Sequence, residues 1–254
     1  MKLEIAVTSA AGAGTSAAEG ADRIELCSGL ELGGLTPSQG LLESSMEHVD
    51  GRLGIHALVR CRPGDFHYSA SEVDTMVHEV RHLLALGADG VVVGALTRDD
   101  EVDVPVTARL VDVARQTNPE AGITYHRAID QSRDPLRALE QLLELGFTRV
   151  LTSGHEPTAG EGLPTLAQLV ERSAGAIEIM AGGGLKLSDI PAMHAAGLSA
   201  VHLSAKRTVS TLADSAISLG SQDGADPTAY SVTDRETVRA ARAAVNAVNL
   251  QPRA

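Results

Sequence analysis

The sequence predicts an α/β fold, a single (β/α)8 TIM barrel over residues 1–254. Three observations predict it. The first is length: 254 residues suit one large α/β domain and match the usual size of such a barrel. The second is a pattern that recurs four times, in "AAEGADRIELCSG" from Ala17, "LLALGADGVVVGA" from Leu83, "LLELGFTRVLTSG" from Leu142 and "MHAAGLSAVHLSA" from Met193. Each copy is the end of a helix, a glycine, a short link and a β-rich run. Glycine just past a helix ends it by taking the left-handed conformation. The copies lie roughly 50 to 70 residues apart, room for two βα units each. The third is that further β-rich runs fill the gaps and bring the strands to eight.

In chain order, the first strand is "KLEIAV", 2–7, and the next follows Gly20. A less sharply marked helix over 41–49 leads to the strand "GIHALVR", 54–60. A helix over 72–86, opened by Ser71, ends at Gly87 and gives the fourth strand. A helix over 104–116 precedes "GITYHR", 122–127, and Asp134-Pro135 opens a helix over 135–145. After the strand beyond Gly146 come a helix over 163–174, the strand "AIEIMAG", 176–182, a helix over 188–196 opened by Ser188 and Asp189, and the strand beyond Gly197. Residues 220–233 read as a polar loop and about 235–249 as a final helix. A doubly wound sheet is the competing fold, but no GxGxxG follows the first strand. No interdomain linker is evident.

Composition excludes several function classes. Hydrophobic residues make up 43% of the chain, enough for a core, while aromatics are only 2%, so the core is built from small and branched aliphatics. The formal net charge of −12 repels phosphate backbones and anionic lipid, which argues against nucleic-acid and membrane partners. No run is long enough to span a membrane, and the amino-terminal apolar run is short for a secretory signal. A cytoplasmic location is expected. Cys27 and Cys61 make neither a disulfide framework nor a CxxC pair.

Strand alternation then locates chemistry. The face of a barrel strand that meets the helices is apolar, so its neighbours point inward. This puts Glu4, Glu25, Cys27, His56, Arg60, His126, Glu178, His202 and Ser204 inside. Barrel lumens are ordinarily filled by Val, Ile and Leu, and an unpaired buried charge costs several kcal/mol. The groups should therefore satisfy one another, with Glu4, Glu25 and Glu178 set against Arg60 and three histidines. Structural salt bridging is one reading of the set. The other is catalysis, which favours Glu25, Arg60 and His126, because they stand at the carboxyl ends of strands. His126, Arg127 and Asp130 are one strand's contribution.

Anion recognition has its own candidates. In "MAGGGLKLSDI" three glycines, Gly182, Gly183 and Gly184, let backbone amides approach an anion, and a following helix start adds positive potential. His202 and Ser204 in "HLSA", and Thr152 and Ser153 in "LTSG", stand nearby in the scheme. Arg60, Arg62 and Arg127 would grip a carboxylate or phosphate, while a loop clasp between Arg62 and Asp65 is the plain alternative. Cys27 and Cys61 follow neighbouring strands, and two thiolates suit a soft ion such as copper(I), although a cysteine is more often a small buried residue. HxH, GxSxG and P-loop patterns are missing from the sequence.

Taken together, "LEIAV", "GADRIELCSGLELGGLTPS", "RCRPGDFHYS", "ITYHRAID", "RVLTSG", "IMAGGG" and "VHLSAKR" resemble the CutC family of copper homeostasis proteins, in order from residue 3 to about 207. The resemblance implies a barrel, a cytoplasmic protein and a link to copper handling, with Cys27 in the family's "ELC" position. One segment departs: the family usually has Arg-Pro-Arg-Gly-Gly-Asp-Phe where this chain has Arg60-Cys61-Arg62-Pro63-Gly64-Asp65-Phe66. A Cys27–Cys61 copper site would be peculiar to this chain. Two functions thus stay open, a copper homeostasis protein binding copper(I), and a lyase, isomerase or hydrolase acting on a small anion, phosphorylated or not, with Glu25 or His126 as general acid or base. The apolar strip of the last helix is open to two uses as well, pairing subunits in a homo-oligomer or covering the barrel.

Overall fold

Eight parallel strands close on themselves in the computed structural model, which describes residues 1–210 and 229–250. In chain order the elements are β1 (Lys2–Val7), α1 (Ala10–Ala18), β2 (Arg23–Leu26), α2 (Gln39–Val49), β3 (Gly54–Leu58), α3 (Ala70–Ala85), β4 (Gly90–Val93) and α4 (Val104–Thr117). They continue as β5 (Gly122–Tyr125), α5 (Pro135–Glu144), β6 (Arg149–Thr152), α6 (Leu163–Ser173), β7 (Glu178–Ala181), α7 (Ile190–Ala195) and β8 (Ala200–Leu203). Strands pair in sequence order and β8 returns to β1, which is the predicted (β/α)8 barrel. The four junction glycines, Gly20, Gly87, Gly146 and Gly197, all have positive φ, as the repeated helix-stop pattern requires.

Beyond β8 the structure departs from the sequence reading. β9 (Lys206–Ser210) and β10 (Ala229–Thr233) form an antiparallel pair outside the barrel, so the end of the expected polar loop is a strand. The rest of that loop, 220–228, lies outside the described residues. β10 leads into α8 (Arg235–Asn249), which buries Val238, Ala241, Val245 and Val248. These recur at helical spacing and pack the helix on β1, α1 and α7, so the apolar strip covers the barrel.

Two helix starts differ from expectation. α3 is capped by Ser69, not Ser71: Ser69 Oγ accepts from Glu72 N, and the Glu72 carboxylate accepts from Ser69 N at 2.7 Å. This reciprocal cap satisfies two orphan donors, which Ser71, inside the first turn, cannot do. The helix expected over 188–196 is split. A 3-10 turn at Leu187–Asp189 precedes α7, and Asp189 accepts from Lys186 N at 2.9 Å.

The large core lies between strands and helices. Leu3, Ile5, Ile24, Ile55, Val91, Ile123, Val150, Ile179 and Val201 all point into it, as alternation predicts. Tyr125 is its one large aromatic among the fully buried side chains, with its hydroxyl donating to Ala95 O at 2.8 Å. Each such aliphatic contributes about 1.5–3 kcal/mol on burial.

The lumen is layered differently. Strand register sets Glu4 beside both Arg23 and His202, and Arg149 beside both Thr124 and Glu178. Arg23 pairs with Glu4 and, at 2.5 Å, with Glu178; Arg149 pairs with Glu178 and donates to Thr124 Oγ1 at 2.8 Å. Arg149 also lies 3.1 Å from His56 Nδ1. This corrects the expected balance, in which Arg60 and three histidines answer the carboxylates. Arg23 and Arg149, each just ahead of an apolar strand residue, supply the charge. Above this plug sit two small apolar clusters, Cys27, Leu58 and Val92 on one side and Leu151, Met180 and Ala200 on the other.

Candidate functional site

Over the carboxyl ends of the strands the lumen opens into a cavity of about 480 Å³. Of the residues singled out in the sequence, Glu25, Arg60, His126, Arg127, Gly183, Gly184, His202 and Ser204 line it.

Glu25 points inward from β2, in register with Ala6 and His56. It is 7% exposed, and among the described residues its carboxylate takes no hydrogen bond. The charged group facing it is His202, whose Nε2 lies 3.9 Å from Oε2. Burial pushes the Glu25 carboxyl up to about 7; His202 draws it down and Glu4 raises it further. It therefore exchanges a proton near neutrality.

His202 is oriented from below. Its Nδ1 meets Glu4 Oε1 at 2.7 Å, which turns Nε2 toward Glu25. Burial alone would lower the imidazole, but the hydrogen bond to Glu4 and the charges of Glu25 and Glu4 raise it above its ordinary value. Burial would likewise raise Glu4, yet the His202 hydrogen bond and the Arg23 charge hold it well below the carboxylate range.

Arg60 follows β3 and is 6% exposed. Nη1 donates to Leu32 O and Gly34 O at 2.9 and 3.1 Å, and Nη2 donates to Gly64 O at 2.6 Å. Its guanidinium lies over Phe66, 5.1 Å from the ring centroid. No carboxylate pairs with it among the described residues, and its buried Nε has no acceptor. A buried cation held only by neutral carbonyls is an uncompensated charge.

The end of β5 contributes two groups of different character. The His126 ring is buried, tilted against Phe66 with centroids 4.8 Å apart. Nδ1 accepts from Ala128 N at 3.1 Å. Burial, aided by Arg60, pushes the imidazole down to about 3, so it is neutral. A Cβ on Gly94 would strike this ring, which explains glycine there. Arg127, 44% exposed on its side chain, is aimed by Asp130 through a 2.7 Å hydrogen bond from Nε and by Ser153, whose Oγ accepts from Nη2 at 3.1 Å. Asp130 also accepts from Ser153 N and Thr152 Oγ1, tying the β5 and β6 loops together. Gly183, at φ +97°, leaves room for the guanidinium, which a Cβ would meet.

Three predicted anion ligands stand elsewhere. Arg62 is engaged by Glu72 and Asp65 at 2.5 and 2.9 Å and by the His67 carbonyl, the loop clasp considered above. Ser153 spends its hydroxyl on Glu156 O and Arg127. Gly182 is packed under Leu151 and His202. The helix expected over 188–196 to add positive potential behind the triplet starts at Ile190, six residues beyond Gly184. Conversely, Phe66, Lys206 and Thr237 line the cavity without having been singled out. Thr237 comes from α8, and no local signal connects it to residues near position 25. Ala205, also in the wall, holds φ +40°, a left-handed strain of the kind that gathers at functional sites.

The cysteines do not fit copper(I). Cys27 is fully buried among Leu58 and Val92 with Sγ 3.7 Å from Val7 O, and burial, with Glu25 and Glu31, pushes its thiol up. Cys61 is half-buried against the outer core, and its thiol is raised too. Copper(I) is held by converging soft donors, and neither sulfur joins the converging donor set found among the described residues. Among the described residues one set of metal-type donors converges, Glu4, Glu25 and His202, within 4.8 Å of one another. These are oxygen and imidazole donors, and both Glu4 oxygens are already taken by Arg23 and His202.

Comparison with known proteins agrees with this fold. The CutC family model matches residues 1–207. A CutC family protein of Xanthomonas axonopodis pv. citri is 44% identical over 210 residues, 82% of this chain and 85% of its own. The human copper homeostasis protein cutC homolog is 38% identical over 241 residues, 93% of this chain and 86% of its own. A solved structure of CutC from Streptococcus agalactiae superposes with a TM-score of 0.74 at 25% identity, covering 80% of this chain and 98% of that one. The chain belongs to the CutC family.

Proposed function

We propose that this member of the CutC family binds a small anionic organic molecule in the mouth of its barrel and acts on it by proton transfer at Glu25. The observation that carries the reading is Arg60: a buried guanidinium in the cavity wall that has, among the described residues, three neutral acceptors and no counter-ion. A ligand's negative charge would compensate it, with Arg127 and Lys206 holding further charge at the rim. Glu25 is the group beside that anion able to take and return a proton near pH 7, and His202, fixed by Glu4, tunes it.

The copper link in the relatives' names belongs, on this reading, to the consequences of that chemistry and not to a bond at Cys27. Two free cysteines suit a reducing compartment, and we propose a cytoplasmic location on that ground.

The test is thermal stability of the purified protein against copper(I), divalent metals and a panel of small phosphorylated and carboxylated metabolites. A saturable rise with an anion, lost in Arg60→Met and retained in Cys27→Ser, is expected. A rise with one equivalent of copper(I) that disappears in Cys27→Ser would replace this reading with a metal-binding one.

A further inference from the structure

The cavity wall holds two buried N–H donors that find no acceptor among the described residues, Arg60 Nε and His126 Nε2. For Arg60 the assignment is immediate, since every guanidinium nitrogen is a donor. For His126 it follows from the backbone. Nδ1 accepts from Ala128 N, and a neutral imidazole carries one proton, so that proton is on Nε2. Burial and the neighbouring Arg60 charge keep the ring neutral across the physiological range. This excludes His126 as the general base, a role the sequence left open to it, and makes it a fixed neutral donor.

Such donors are costly to bury without acceptors, and both belong to side chains facing the same cavity as Glu25. Phe66 packs against both, 4.8 Å from the His126 ring and 5.1 Å from the Arg60 guanidinium carbon, and it sits on the loop after β3, not in the barrel wall. An incoming oxygen would reach the donors by shifting Phe66.

Resting on the function proposed above, we infer that the substrate is an anionic carbonyl compound whose carbonyl oxygen is received by His126 Nε2 and Arg60 Nε while Glu25 removes a proton from the adjacent carbon. The step is an enolisation. The C–H bond breaks and its proton passes to the Glu25 carboxylate. The freed electron pair becomes a C=C bond, and the carbonyl π pair moves onto oxygen. Return of the proton restores the carbonyl, so no co-reactant is needed. A neutral imidazole stabilises the enolate charge without quenching it by full proton transfer. The substrate's anionic group lies against the Arg60 guanidinium beside the developing enolate oxygen, and Arg127 and Lys206 hold further charge nearer the mouth.

The first measurement is the 15N spectrum of His126 in the labelled full-length protein. The Nε2–H neutral tautomer is expected, unchanged between about pH 5 and 9; an Nδ1–H tautomer or an imidazolium overturns the inference. The second is binding of two enolate mimics, oxalate and phosphoglycolohydroxamate. At least one should bind, with affinity falling about 10- to 100-fold in His126→Leu and kept within about 5-fold in His126→Gln, which retains an N–H donor. Glu25→Gln should still bind the mimic. Binding that needs Arg60 but ignores His126→Leu overturns this inference and leaves anion binding standing. A protein that responds to no anion at all overturns both.

Discussion

The two ends of the barrel lumen are built from the same residue types and treat them in opposite ways. At the amino end Glu4, Arg23, Arg149 and Glu178 form a closed set in which every charge has an opposite charge in contact. At the carboxyl end, among the described residues, Arg60 has no carboxylate and Glu25 no hydrogen bond. Buried ionisable groups are therefore not in themselves a sign of function. What separates plug from site is whether the protein supplies the partner. Where it does, charge is structural; where it does not, the missing partner is a description of the ligand.

The contrast can be broken most sharply by Arg149→Ala. It removes one of Glu178's two arginine partners, Arg23 remaining, together with the hydrogen bond to Thr124, so a loss of about 1–3 kcal/mol in urea unfolding is expected. A loss under about 1 kcal/mol would mean that the plug is water-screened and that the two ends are alike. Arg60→Met should do the reverse, weakening anion binding about 10- to 100-fold while costing well under half as much stability, because no ion pair is broken. Equal stability losses at the two arginines would erase the distinction. Third comes pH. Glu25 is raised in the folded state from 4.5 to about 7, so its contribution to stability is fully present below about pH 4.5 and is lost as pH rises through 7. Glu25→Gln should accordingly be more stable than the parent by about 1–3 kcal/mol near pH 8 and equal to it near pH 4.5, in thermal melts across the series. The smallest effect is expected at Cys27→Ser. A hydroxyl in the apolar pocket of Leu58 and Val92 costs about 1 kcal/mol, with copper(I) stoichiometry unchanged.

The barrel was legible because its signals are local and repeated. Gly20, Gly87, Gly146 and Gly197 each stop a helix within a few residues of a strand, and alternation around Ile24, Ile55 or Ile179 assigns faces without knowledge of any neighbour. Alternation also delivered Glu25, Arg60, His126 and His202 to the lumen. It could not say which of them would find partners, since pairing joins residues far apart in sequence: Arg23 meets Glu178 and Glu4 meets His202. Arg23 and Arg149 escaped notice because each sits at a strand's first position and reads as part of the link. Arg62 was misplaced for a related reason: its real partner, Glu72, belongs to the following helix. β9–β10 pairs across a segment of low apolar content, with Thr208 opposite Ser231, and carries little periodic signal.

The charged plug has a kinetic consequence. It fills the amino end of the lumen and rests under two apolar clusters, so among the described residues the cavity opens at the opposite end alone. Whatever enters must leave by the way it came. If the proposed proton transfer operates, product and substrate compete for one passage, product inhibition is competitive, and the rim formed by Arg127, Lys206 and Thr237 governs release as much as capture.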